Sequence, residues 1–130
     1  MSEKLAFSLV SPEAELFSGL VDQVDVPGTE GDFGVLPDHA PLMAAIRTGA
    51  ITVYNGSQET QFLIQGGFAN VTADGLTVLA ERARSLADVS RDDLRAEIDE
   101  ARAQLTSIDD ERARAHRQDL EGLEAIFNMV

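Results

Sequence analysis

Residues 50–65, AITVYNGSQETQFLIQ, decide the fold class. Ile51 and Val53 alternate with other residues, Asn55-Gly56 offers a turn, and Phe62 and Ile64 alternate again on the return. Side chains two apart on a strand share a face, so a period of two marks a strand with one buried side. Asn-Gly is a strong hairpin signal because both central positions of a type I′ turn require positive φ. The segment predicts a hairpin with strands over 50–54 and 60–65, Ile51 with Val53 and Phe62 with Ile64 facing the same core.

The pattern spreads in both directions. Downstream, Gly66-Gly67 interrupts the run, residues 68–72 form a short strand, and Asp74-Gly75 turns the chain into another over 76–81. Upstream, Leu5 to Val10 is the first strand, and residues 19–26 alternate most clearly. There Leu20, Asp22, Val24 and Val26 share one face, with Asp22 out of character, against Val21, Gln23 and Asp25 on the other. Short strands at close spacing up to about Arg84 predict a β-sandwich or barrel, since an open sheet would leave long edges to pair with other chains.

Residues 31–49, GDFGVLPDHAPLMAAIRTG, fit neither strand nor helix periodicity. Gly31 and Gly34 bracket Asp32 and Phe33, while Pro37 and Pro41 fix φ on either side of Asp38, His39 and Ala40. A stiff, shaped loop is expected, such as a recognition surface requires.

From Asp88 the composition turns to alanine, arginine and acids, and the apolar period changes to about 3.6. Ser90 is the expected N-cap, with Asp92 and Asp93 near the positive end of the helix dipole. Leu94, Ile98, Ala101 and Leu105 form one seam; Ala113, His116, Leu120, Leu123 and Phe127 form a second. Ser107, with Asp110 three residues on, is read as the cap of the second helix. Two such seams predict an antiparallel two-helix hairpin. It is thin in apolar residues and depends on the sandwich or a partner for stability. Gly122 is expected to mark fraying or a kink, and the apolar tail AIFNMV to pack on something. The architecture expected is β + α: a sandwich over 1–86 and a helical hairpin, mobile and regulatory, over 87–130.

Bulk properties narrow the function. The 130 residues, 44% hydrophobic, suffice for one domain with an appendage. No apolar run approaches the roughly 20 residues that cross a bilayer, and no basic-then-apolar leader opens the chain, so direct membrane insertion is not expected. The absence of cysteine removes disulfide and thiolate chemistry. A formal net charge of -13 opposes a grip on nucleic acid or anionic lipid and suits neutral or basic protein partners.

Little in the chain argues for catalysis. Asp38 beside His39 suggests an oriented imidazole, but adjacent residues rarely face each other and no motif marks a nucleophile. His39 is read as a loop contact and His116 as a partly buried interhelical residue. Two distant histidines without cysteine do not make a metal site, and no cofactor is expected. The glycines form neither GxGxxG nor a P-loop. Arg91, Arg95 and Arg102 lie among acids, and pairs of Glu97 with Arg91, or of Asp99 with Arg95 and Arg102, read as a solvated face.

Three stretches carry a resemblance to a known family: SPEAELFSGLVDQVDVPGTEGDFGVLPDHAPLMAAIRTGAI, then GGFANV, then LTVLAERA. They resemble the epsilon subunit of F-type ATP synthases, called delta in mitochondria, over nearly the whole chain in the same order. The resemblance implies an N-terminal sandwich, a C-terminal helical hairpin, and a non-catalytic place in the central stalk. The sandwich would bind the gamma subunit and the ring of c subunits, coupling ring rotation to ATP synthesis. Thr29, Glu30, Gly31 and Asp32, with His39 and Pro41 nearby, would meet those partners. The hairpin would reach the alpha and beta subunits and restrain hydrolysis. The location implied is peripheral, on the cytoplasmic face of a bacterial inner membrane.

In ATP-binding relatives an Ile/Leu-Asp-x-x-Arg-Ala motif opens the first helix. The corresponding position here reads VSRDDL from Val89, while IDEARA at 98–103 lies about two and a half turns later. Asp99 and Arg102 are thus the candidate nucleotide residues of an alternative, ATP-sensing reading.

Overall fold

The computed structural model describes residues 4–105 and 110–130. Strands run over β1 (Leu5–Val10), β2 (Glu15–Val21), β3 (Gln23–Val26), β4 (Phe33–Val35), β5 (Leu42–Ile46), β6 (Gly49–Asn55), β7 (Gln58–Ile64), β8 (Gly67–Thr72), β9 (Gly75–Ala80) and β10 (Ala83–Ser85). A 3₁₀ turn (Leu86–Asp88) leads to α1 (Arg91–Leu105) and α2 (Asp110–Met129). One sheet is ordered β2-β1-β9-β8-β5 and the other β10-β7-β6-β3-β4. Among the described residues, only β1 with β9 pairs in parallel. Their inner faces enclose a core that includes Phe7, Leu9, Val24, Ile51, Ile64 and Val78. Phe17 bridges the layers, its ring 5.5 Å from Phe7 and 6.3 Å from Phe62. The expected sandwich-then-hairpin is the fold observed.

Several local expectations change. Residues 19–26 are two strands, because at Asp22 the chain leaves the first sheet for the second. Val21 and Val24 are both buried while Leu20 is 61% exposed, so the alternation slips across the corner. Asp22 holds it: its carboxylate accepts from Lys4 Nζ and from the Gly56 amide, each at 2.6 Å, and its own amide donates to the Tyr54 carbonyl at 2.8 Å. An acid at that position belongs to the crossover, not to a buried face.

The segment 31–49 is not a loop throughout, since it contains β4 and β5 at the edges of different sheets. The hairpin of residues 50–65 forms, but Asn55 pairs with Gln58, making Gly56 and Ser57 the central residues. Gly56 has φ 62 and Ser57 is not in the positive region, the pattern of a type II′ turn. In the next hairpin Thr72 pairs with Gly75, which moves the turn to Ala73-Asp74. Strand β10 was not anticipated.

The helices cover the outer face of the second sheet. Ser90 Oγ accepts from the Asp93 amide at 3.0 Å, the cap expected from sequence. Leu94, Ile98 and Ala101 meet Leu120, Leu123 and Ile126 over Leu63, which is 0% exposed on β7. Strand β7 is thus buried on both faces at its end, which explains why FLI is apolar without alternation. The expected cap at Ser107 lies outside the described residues.

Gly122 does not end the helix, which continues to Met129. A Cβ there would collide with the Thr48 carbonyl, so glycine allows α2 to touch the start of β6. The anticipated ion pairs on α1 also differ. Glu97 reaches back to the sandwich, to Arg84 at 2.7 Å and Arg82 at 3.3 Å, and Arg102 pairs with Glu124 at 3.4 Å. Arg91 and Arg95 instead lie over the Phe127 ring, at 4.2 and 5.9 Å.

Candidate interaction surfaces

The 29–32 turn sits where β3 hands over to β4. The Thr29 amide donates to the Ala45 carbonyl at 3.0 Å and the Gly31 amide to Gly28 at 3.3 Å, leaving Thr29, Glu30 and Gly31 exposed. Asp32 is also exposed and holds Arg47 at 2.6 Å. The turn therefore presents two carboxylates, one already engaged by its own chain.

His39 and Pro41 do not join that turn. Strand β4 starts beside Val26 and runs away from it, and β5 returns to bring Ile46 beside Gly28. Residues 36–41 consequently lie at the opposite end of β4 from residues 29–32. There Asp38 takes φ 66, and His39 Nδ1 donates to the Ala40 carbonyl at 2.7 Å. The imidazole is turned to the backbone, which leaves Asp38 without the orienting role a proton relay would need.

A third surface was missed by sequence reasoning. Phe68 pairs with Leu79 across β8 and β9, Ala45 lies beside Phe68, and Val10 lies beside Leu79. This row crosses four strands on the outer face of the first sheet. Phe68 is 54% exposed, Leu79 57% and Met43 68%, with Leu20 further along the same sheet. Val10, Pro12, Phe68 and Leu79 line an apolar groove of about 350 Å³. A contiguous exposed apolar patch marks a contact surface. The available signal was Leu79, out of phase with Leu76, Val78 and Ala80 in an otherwise alternating strand.

On the hairpin, Asp99 and Arg102 are both exposed on α1, with Arg102 turned to Glu124. His116 is half-buried, and its Nε2 donates to the Ala101 carbonyl at 2.8 Å, bridging the helices as expected. Among the described residues no cluster of three or more His, Cys, Asp or Glu could hold a metal ion, and no helix is long and apolar enough to cross a membrane.

Two titrating groups are shifted. The Gly56 amide, then Lys4, hold the Asp22 carboxyl below the ordinary aspartate value. Tyr54, whose hydroxyl donates to Asp25 at 2.9 Å, is pushed above the ordinary tyrosine value chiefly by that bond. Both belong to the sandwich frame, not to a reactive cleft.

Comparison with known proteins agrees with this geometry. Residues 4–85 match the family described as ATP synthase, Delta/Epsilon chain, beta-sandwich domain. The ATP synthase epsilon chain of Maricaulis maris is 56% identical over 114 residues, 88% of this chain and 86% of its own. That of Caulobacter vibrioides is 61% identical over 80 residues, 62% of this chain and 93% of its own. Among solved structures, a chain of the Euglena gracilis mitochondrial ATP synthase, in an assembly of OSCP, F1 and c-ring, superposes with a TM-score of 0.80 at 24% identity, covering 97% of this chain and 81% of that one. A chain of the Tetrahymena thermophila mitochondrial ATP synthase central stalk and c-ring gives 0.68 at 12% identity, covering 96% and 97%; both show a shared fold. With a sandwich-family match across most of its length and close relatives that extend into the helices, the chain belongs to the ATP synthase epsilon-chain family.

Proposed function

We propose that the chain is a non-catalytic rotor subunit of the central stalk of a proton-translocating ATP synthase, linking the c-ring to gamma. The observation that carries this reading is the asymmetry of the sandwich: one outer face is roofed by the chain's own helices, and the other offers Phe68, Leu79 and Met43 to a partner. Gamma takes that apolar face, with His39 and Pro41 at its margin. The polar loops of the ring meet Thr29, Glu30, Gly31 and Asp32, where carboxylates favour basic partners and set orientation. Torque passes through this contact because the turn is pinned by the backbone bonds of Thr29 and Gly31.

The chain divides functionally at residues 86 and 87. The sandwich docks; the hairpin regulates, lying on the second sheet in the state seen here and rising toward alpha and beta to restrain hydrolysis. Location follows from the complex, peripheral on the cytoplasmic face of a bacterial inner membrane. Co-purification tests the reading: tagged gamma should retain the chain, and a cysteine at Glu30 should cross-link to c. A chain that does not associate with gamma is not this subunit. ATP sensing at Asp99 and Arg102 is the second reading, and nucleotide would have to displace Glu124 from Arg102. ATP that neither shifts the melting transition nor releases binding heat removes it.

A further inference from the structure

The 29–32 turn and the docked helix α2 are joined by a short chain of contacts through two residues. Asp32 holds Arg47 Nη2 at 2.6 Å, and Arg47 Nη1 donates to the Thr48 carbonyl at 3.2 Å. That same carbonyl lies against Gly122, and the Thr48 hydroxyl donates to the Asp119 carboxylate one turn earlier on α2. Thr48 is buried, so its peptide cannot shift without being felt by the helix. Arg47 is the one member of this chain that touches both sides: Asp32 on the exposed turn and the carbonyl on which α2 rests.

We propose that Arg47 and Thr48 couple the 29–32 turn to the hairpin, so that whatever engages Asp32 changes how firmly α2 is held on the second sheet. While Asp32 anchors the guanidinium, Arg47 fixes the Thr48 carbonyl in the position that Gly122 fits, and the hydroxyl stays aligned with Asp119. A basic group from a partner that takes Asp32 releases Arg47, loosens this shelf and favours departure of the hairpin. The coupling is reciprocal, so a departed hairpin leaves Asp32 easier to engage. Naming the c-ring as that partner rests on the orientation proposed above; the coupling itself is a property of this chain alone.

A mutant cycle read by hydrogen exchange on the full chain tests the proposal. Asp32→Asn should speed exchange of the α2 amides from residue 119 to 126 by about two- to five-fold, the range of an exposed ion pair, while β1 and β9 exchange as before. In an Arg47→Gln background the same substitution should add nothing. Unchanged or slower exchange in α2, an equal effect in both backgrounds, or a parallel change in β1 and β9 would overturn it. The Glu30 cross-link to c reads the orientation separately. A positive cycle without that cross-link leaves the coupling standing and removes the ring as its effector; a cross-link without a cycle does the reverse.

Discussion

The outer faces of the two sheets are made from similar alternating strands, yet one is roofed by helices and the other carries Phe68, Leu79 and Met43 in the open. The roofed face is satisfied within the chain. Leu63 is fully buried there, Gly122 is small where α2 meets Thr48, and Glu97 reaches two arginines of the sandwich. Among the described residues nothing covers the open face in this way, although its row of apolar side chains runs across strands in register. Burial on one face measures self-association of the chain; exposure on the other measures what it keeps for a partner.

Substitution can break this contrast from the roofed side first. Leu63→Ala should destabilise the chain by about 2–5 kcal/mol in chemical denaturation, the cost of a cavity in a closed core. The same truncation at Leu79 should stay within about 0.5 kcal/mol. Equal effects at the two positions would show that the faces do not differ as described. Gly122→Ala comes next, because overpacking against Thr48 costs about 1–3 kcal/mol. That loss should appear as faster exchange along α2 with β1 and β9 unaffected. Exchange at or below the wild-type rate would mean that the helix has room there.

The smallest effect is expected at Asp22, which lies outside the contrast and serves as its control. Its carboxyl is held below the ordinary value by Gly56 and Lys4, so its contribution to stability is complete above the unfolded-state value and fades as pH falls through the folded one. Asp22→Asn should therefore be less stable than wild type at neutral pH, and the difference should shrink in acid. Denaturation curves at the two extremes check the sign. A difference that grows in acid would assign the shift to another cause.

Much of the fold was legible because its signals are local. The existence of the 50–65 hairpin, though not its turn pair, the switch of period after Asp88 and the Ser90 cap depend on residues a few positions apart, where propensity and capping act. What was misread depends on partners distant in sequence. Asp22 looked like an error in a strand because its reason is Gly56 and Lys4; Gly122 looked like fraying because its reason is Thr48. Strands β4, β5 and β10 are short, and their pairing rather than their pattern defines them. Of the candidate surfaces, the 29–32 turn came from the family resemblance alone, its residues being exposed in the fold. The apolar face was not, since an outward leucine and an inward one look alike until both sheets are in place.

The central claim is that partner binding and hairpin docking use opposite faces. Its most direct test is the affinity of purified gamma for three forms of the chain: wild type, Phe68→Asp, and the truncation that removes residues 88–130. Phe68→Asp should weaken binding by about 30-fold or more, as expected for a charge placed in an apolar hot spot. The truncation should bind gamma as wild type does. The opposite result, full affinity with Phe68→Asp and lost affinity on truncation, would contradict the account.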